Sequence, residues 1–357
     1  MRLGSDALKL PGSRTTSPVE QLDTAAGHGL EGLFFRTILH LSPDLDPGEL
    51  REIRAAADSH GMYLEAGIGL INPFALAETP EVRALGDGDT VAGLRRMMEA
   101  AADIGITELW AETAGIKPYG GRLGYDRFRT DVSWPDQLAA TTKFMRRLAP
   151  IARDLGLHIN PETHEEITSF ELVRLVEAVG ADVMGITYDT ANMLQRAEHP
   201  KGTVDRVAPY VRQTHIKDAM LAHDPTGIRD QMRPVGQGMV DMHWILPPLH
   251  RANPDLNLSL EIAEDFPKPA APGAPRPTGI ALYDPQWIAG HPDLTAAGLA
   301  EFLGLVQASE DRVASGAAPS FRDYAARPYT VDDAWTWVAD SLAYLRSVLA
   351  DEGISPE

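Results

Sequence analysis

Short apolar runs alternate along this chain with longer segments whose apolar positions recur every three or four residues. The runs read as strands at Arg2–Ala7, Gly32–Leu39, Met62–Leu70, Glu108–Thr113, Leu157–Pro161, Met184–Tyr188, Val211–Ile216 and Leu256–Ile262, being short, apolar and bounded by turn residues. The segments between them read as helices with explicit start signals. Ser17-Pro18-Val19-Glu20, Asp46-Pro47-Gly48-Glu49 and Thr168-Ser169-Phe170-Glu171 each place a capping oxygen first and an acid three residues later, which satisfies the orphan N–H groups of a first turn. Ser133-Trp134-Pro135-Asp136 is a variant of the same signal. Eight strand–helix alternations predict an α/β fold, a parallel sheet closed into a (β/α)8 TIM barrel. An open doubly wound sheet fits less well: no G-x-G-x-x-G follows a strand, and GDGD at 86–89 reads as a turn.

Three segments exceed what a bare barrel needs: Ile71 to Thr90, Asp218 to Gly238, and Ala263 to about Gly290, the last rich in Pro and Gly (FPKPAAPGAPRP). Structureless segments of that length are usually lids or partner surfaces. Beyond them Thr330 is positioned to cap a final helix with Val331, Trp335, Val338, Leu342, Leu345 and Leu349 on one stripe, a narrow seam expected to pack on the barrel rather than on another copy. Residues 1–357 are thus read as one barrel domain, with a loop at 263–290 after strand eight and C-terminal helices over 291–351.

A core of this size is within reach of 357 residues with 44% hydrophobic content. The net charge of −19 argues against a nucleic-acid partner, because phosphate binding depends on clustered Lys and Arg. By itself it suits neutral or cationic small ligands. The absence of cysteine excludes disulfides, thiolate metal sites and cysteine nucleophiles. No apolar run at the N-terminus reads as a signal peptide and none reaches the length of a membrane span, so a soluble cytoplasmic protein is expected.

Catalytic side chains of a barrel sit at the carboxyl ends of its strands. Strand five ends in INPETHEE, strand six in YDTAN, strand seven in HIKD and strand eight in LSLEI. Each places a polar group where an apolar strand runs out: Glu162, Asp189, His215 and Glu261. Any one of them alone is more often a helix cap or an ion-pair partner than a ligand; four at consecutive strand ends make a set. Three carboxylates and one imidazole favour a hard divalent ion, Mn²⁺ first and Mg²⁺ next, with Co²⁺, Fe²⁺ and Zn²⁺ compatible. An octahedral ion would keep about two positions open for two sugar oxygens. A carbonyl held there is polarised, and Glu162 or Glu261 could take or return the neighbouring proton.

These strand ends resemble the sugar phosphate isomerase/epimerase members of the xylose-isomerase-like TIM-barrel superfamily. Glu162-Thr163-His164 is similar to the E-N-H signature after strand five, YDTAN to D-x-x-N/H, HIKD to H-x-K-D, VGQGMVDMHWI at 235–245 to G-x-G-x-V-D, and LSLEI to the closing E. The resemblance covers most of residues 1–262. It implies that Glu162, Asp189, His215 and Glu261 hold one divalent metal, that Glu162 and Glu261 are the acid/base pair, and that His164 and Lys217 face the substrate. Asn192, Arg36 and Trp110 complete the expected pocket wall, although barrel packing explains Trp110 equally well. The enlarged pocket-side segments depart from a minimal family member. Some relatives with this metal site cleave C-glycosides, eliminating the aglycone from a 3-oxo-sugar together with a small β-rich partner subunit, and that lyase is the alternative to an isomerase or epimerase. The expected partners are therefore a small carbohydrate or glycoside and an oligomeric assembly.

Abasic-site endonucleases share the superfamily but are built around a three-metal, histidine-rich cluster. Here Asn192 stands where a second histidine would follow Asp189, and Met232 lies where another would be needed. A silent sugar-binding barrel is the remaining class. His164 could instead bind only a neighbouring loop, His158 reads as a satisfied core histidine, Lys217 and Asp218 as a surface ion pair, and His223, His243, His250 and His291 receive no role.

Overall fold

The computed structural model describes residues 1–114, 123, 125–262, 279–327 and 329–354. Eight parallel strands form one sheet: β1 (Leu3–Asp6), β2 (Gly32–Phe35), β3 (Tyr63–Leu70), β4 (Glu108–Glu112), β5 (His158–Pro161), β6 (Ile186–Asp189), β7 (Val211–Ile216) and β10 (Leu258–Leu260). Their order is β5-β4-β3-β2-β1-β10-β7-β6. Bridges Ile159↔Met184 and Glu162↔Thr187 join the two ends of that order, so the sheet is a nearly closed (β/α)8 barrel, as the alternation predicts. Helices cover its outer face, which is why the strands read as continuous apolar runs rather than alternating ones.

The helix starts behave as the sequence implies. Ser17 and Thr168 form reciprocal capping boxes with Glu20 and Glu171, and Thr330 does the same with Asp333. Asp46 accepts the N–H groups of Gly48 and Glu49, and Ser133 that of Asp136. The GDGD stretch is a turn.

Several expected boundaries move. The second strand stops at Phe35, because Thr37 Oγ1 accepts the Leu39 N–H and starts a 3₁₀ turn over Ile38–His40. The sixth begins at Ile186 and carries Asp189 as its last residue, and the last spans only Leu258–Leu260. Asp218 to Gly238 is not a bare loop. Its first part is an antiparallel hairpin, β8 (Asp218–Asp224) and β9 (Gly227–Arg233). Asp224 Oδ1 accepts the N–H groups of Thr226 and Gly227 to close the turn, and Asp218 accepts those of Ala219, Gly236, Gly238 and Val240 at the base. Asp218 is therefore a buried structural tie, not half of a surface ion pair with Lys217. The Ile71 to Thr90 segment likewise contains a short helix, Pro80–Leu85.

Of the loop expected at 263–290, residues 263–278 lie outside the described residues. Ile280 pairs with Ile228 of the hairpin, and Pro285–Ala289 is helical. The helix Ala296–Ala314 packs on the hairpin, with Ser309 Oγ accepting the Leu221 N–H at 2.9 Å. The final helix, Val331–Asp351, lies on the barrel as its stripe predicts: Val338, Leu342, Leu345 and Leu349 are buried. Val331 at its start is exposed, and Trp335 stacks on His28 of the barrel at 3.5 Å.

Candidate metal centre

Register brings the expected ligands together. Asp189 pairs with His215 across β6 and β7, His215 pairs with Ser259 across β7 and β10, and Glu162 bridges to Thr187 of β6. Glu162, Asp189, His215 and Glu261 therefore project from four consecutive positions around the ring. One ligand atom from each lies within 4.8 Å of all the others, and all four residues are buried. Among the described residues this is the only such grouping of three or more metal-ligating side chains.

Local bonds fix each member. Asp189 Oδ1 accepts the N–H groups of Ala191 and Asn192 at 2.9 and 2.8 Å, leaving Oδ2 turned away from its own loop. Thr163 Oγ1 accepts the Asp189 N–H at 2.7 Å. Trp110 Nε1 donates to Glu162 Oε2 at 2.8 Å, and Asn192 Nδ2 donates to Glu162 Oε1 at 3.1 Å. Arg36 spans Asp6, at the end of β1, and Glu261 Oε1 at 2.5 Å. The Phe34 ring stands edge-on to His215 at 4.4 Å. Trp110 and Asn192, expected at the pocket wall, thus bond to Glu162, and Arg36 to Glu261, two of the candidate ligands.

The donor set fits a cation. His215 Nδ1 and Nε2, Asp189 Oδ2 and Glu261 Oε2 are buried and lack hydrogen-bond partners, which is costly in a protein interior unless a charge or an ion compensates. His215 Nδ1 lies 3.2 Å from both Glu162 Oε1 and Glu261 Oε2. Lys217 Nζ lies 2.9 Å from both Asp189 Oδ2 and Glu261 Oε2, close enough to pair in charge but not aligned as a hydrogen bond to either. It does donate to Asn192 Oδ1 at 3.2 Å.

The carboxyls titrate far apart. Burial raises all three, but the His215 charge holds Glu162 below the usual range, and Lys217, Arg36 and His215 hold Glu261 well below it. Asp189 is pushed up to about 7 by burial, against the pull of Lys217 and with the charges of Glu261 and Glu162 adding to the rise. Crowding three acids into one dry site spreads their titration apart and leaves Asp189 the hardest of the three to ionise.

His164 is placed to one side of the four. Its Nδ1 lies 2.5 Å from Glu166 Oε2, its Nε2 lies 3.6 Å from Glu112 Oε2, and Thr113 Oγ1 donates to Glu166 Oε1 at 2.5 Å. Glu166, Asp6 and Lys9 are site neighbours that sequence reasoning missed. Glu166 lies in the charge run THEE, where a buried acid and a solvated one look alike. Asp6 and Lys9 flank the end of the first strand, where no motif singles them out. His158 pairs with Glu108, His223 with Glu310 and His243 with Glu352, all away from the centre.

Fold and geometry together define a TIM-barrel protein with a buried carboxylate–imidazole centre at the carboxyl end of its strands. Residues 22–289 match the family described as xylose isomerase-like TIM barrel, and the chain belongs to that family. It is 24% identical over 204 residues to the 3-oxo-isoapionate decarboxylase of Pectobacterium atrosepticum, covering 52% of this chain and 71% of that one. It is 37% identical over 86 residues to the uncharacterized protein YihM of Escherichia coli, a match to 24% of this chain that spans about a quarter (26%) of that protein's length. Among solved structures, a D-psicose 3-epimerase in the presence of D-fructose superposes with a TM-score of 0.56 at 19% identity, covering 88% of this chain and 98% of the other. Among the described residues no helix is long and apolar enough to cross a membrane.

Proposed function

We propose that this protein is a divalent-metal-dependent enzyme that abstracts a proton beside a sugar carbonyl, with 1,2-isomerisation or 3-epimerisation as the outcome. The observation that carries the reading is the buried grouping of Glu162, Asp189, His215 and Glu261 within 4.8 Å, several of whose inner atoms have no hydrogen-bond partner. Bound there, the ion, Mn²⁺ on the chemistry of three carboxylates and one imidazole, would polarise a carbonyl and acidify the adjacent C–H. Glu162 and Glu261 flank the centre and serve as the acid/base pair. Trp110 and Asn192 hold the Glu162 carboxylate, and Arg36 holds that of Glu261, so that each oxygen keeps its aim. Lys217 and His164 face the substrate. That one such grouping occurs among the described residues favours one ion per site over a three-metal nuclease cluster.

Incubation of the metal-loaded protein with keto sugars in deuterated water tests the proposal. Solvent deuterium should enter a carbon position only when metal is present. Metal-independent exchange, or none with any keto sugar, would overturn it.

A second reading has one observation in its favour. The decarboxylase relative is named for breaking a carbon–carbon bond in a 3-oxo compound, and the same centre could drive a lyase that eliminates the aglycone of a 3-oxo-C-glycoside. The extra segments after β7 and β10 would then border the aglycone or a small partner subunit. Release of a free aglycone, rather than deuterium-labelled sugar, would select this reading.

A further inference from the structure

Two tiers of side chains line the mouth beside β4 and β5. Successive residues of a strand face opposite sides, so Trp110 and Glu112 of β4 point the same way, with Glu112 one step nearer the carboxyl end. Glu162 and His164 follow β5 with the same spacing. The lower tier is closed: Trp110 Nε1 donates to Glu162 Oε2 at 2.8 Å, and both residues are buried. The upper tier is open. Glu112 Oε2 and His164 Nε2 lie 3.6 Å apart, and their side chains keep 24 and 14% exposure. That separation is beyond hydrogen-bond reach. Among the described residues the Glu112 carboxylate makes no hydrogen bond, and its one ion contact is this imidazole.

The ring itself is clamped from behind. Its Nδ1 lies 2.5 Å from Glu166 Oε2, and Thr113 Oγ1 donates to Glu166 Oε1 at 2.5 Å. Glu166 and Thr113 are fully buried, and the Glu166 carbonyl accepts from Arg127 Nη1 at 3.2 Å. A buried carboxylate is costly unless its oxygens are bonded, and one of the two bonds here goes to the imidazole. A carboxylate at Nδ1 is an acceptor, so it fixes the proton there, sets the ring plane and leaves Nε2 for the mouth.

The geometry points to a hydroxyl subsite in the upper tier: Glu112 and His164 Nε2 take a hydroxyl of the sugar, and Glu166 is the positioning residue that holds His164 for it. This inference rests on the metal-centre reading, which seats a keto sugar on the lower tier, and adds a specificity residue and a positioning residue to it. A hydroxyl both donates and accepts, so it can donate to Glu112 while remaining within reach of the ring nitrogen. An apolar group would leave the carboxylate unbonded, and an anion would meet Glu112 head-on.

NMR of the Mg²⁺-loaded full chain carrying nitrogen-15-labelled histidine tests this, with the His164 signals identified by their loss in His164→Ala. The probes are D-fructose, D-tagatose and D-xylulose. At least one should shift Nε2 and leave Nδ1 in place; no Nε2 response to any of them would overturn the subsite. Glu112→Leu should weaken that sugar about tenfold or more, the worth of a hydrogen bond to a charged group, with Mg²⁺ affinity unchanged. Unaltered sugar affinity would remove Glu112 from the subsite. Glu166→Leu should free the Nδ1 proton, seen as a mixture of tautomers, and weaken the sugar, and this second effect should vanish in the His164→Ala background. Glu166→Gln, which keeps the shape and one acceptor oxygen, should give a smaller change of the same kind. An effect of either Glu166 variant that persists in full without His164 would overturn the positioning role. Metal-dependent deuterium exchange with no effect of Glu112→Leu would refute only the subsite. A His164 response without exchange would refute only the proposed reaction.

Discussion

Replacing Lys217 by Met is the most informative single perturbation, because among the described residues that ammonium is the one cation within 2.9 Å of two carboxylates of the candidate ligand set. Without metal, the wild-type protein buries Glu162, Asp189 and Glu261 around His215, and Lys217 supplies positive charge that Asp189 and Glu261 share. Methionine keeps the unbranched apolar stem of the side chain, without its terminal ammonium, and leaves both acids facing each other. Breaking a buried pair by removing one partner costs about 3–5 kcal/mol, chiefly from the uncompensated charge left behind. At roughly 2 °C per kcal/mol for a chain of this size, the metal-free variant should melt about 6–10 °C below wild type. A bound divalent ion supplies the missing charge, so the deficit should shrink to a small fraction when Mn²⁺ is saturating.

Linkage gives a second readout. If the substitution destabilises the metal-free state more than the loaded one, metal must bind the variant more tightly by the same free energy. Urea unfolding of both proteins, with EDTA and with excess Mn²⁺, measures the first effect, and metal titration measures the second. An equal loss of stability in both conditions, with unchanged metal affinity, would show that Lys217 does not compensate the ligand charge.

Further outcomes follow from the same geometry. His215→Ala removes the only nitrogen ligand of the four, so metal content after dialysis should fall, and full retention would remove His215 from the ligand set. Glu261→Gln preserves shape but cannot accept a proton. It should fold and lose metal-dependent deuterium exchange, and retained exchange would end its assignment as base. Glu65, buried near the amino-terminal end of β3, is pushed up to about 7 by burial, while Asn257 donates to its Oε1 at 2.7 Å. A folded-state value above the unfolded one means that the protonated form stabilises the fold, and this contribution is lost as pH rises from about 4.5 through about 7. Glu65→Gln should therefore raise stability relative to wild type by about 1–3 kcal/mol at pH 8 and little at pH 4. Urea midpoints at both pH values check it, and a pH-independent difference would refute the sign.

The sequence by itself determined the barrel and four of its side chains. Strand and helix periods differ, so the alternation of apolar runs with capped amphipathic segments was visible without coordinates. The barrel rule then converted strand ends into a shared face, which singled out Glu162, Asp189, His215 and Glu261. What lies between those strand ends required the tertiary structure. Asp224, Thr226 and Gly227 turn an apparent loop into a hairpin, and Asp218, adjacent to the pocket lysine, is spent on tying its base. Arg36 and Trp110 read as pocket wall, but their contacts with Glu261 and Glu162 depend on packing across the ring. Total charge is a sum over the surface, whereas a site feels charges within a few ångströms. That is why a chain of −19 can still bring Arg36 and Lys217 onto one buried carboxylate, Glu261, and why only the ring order of β7, β10, β1 and β2 reveals it.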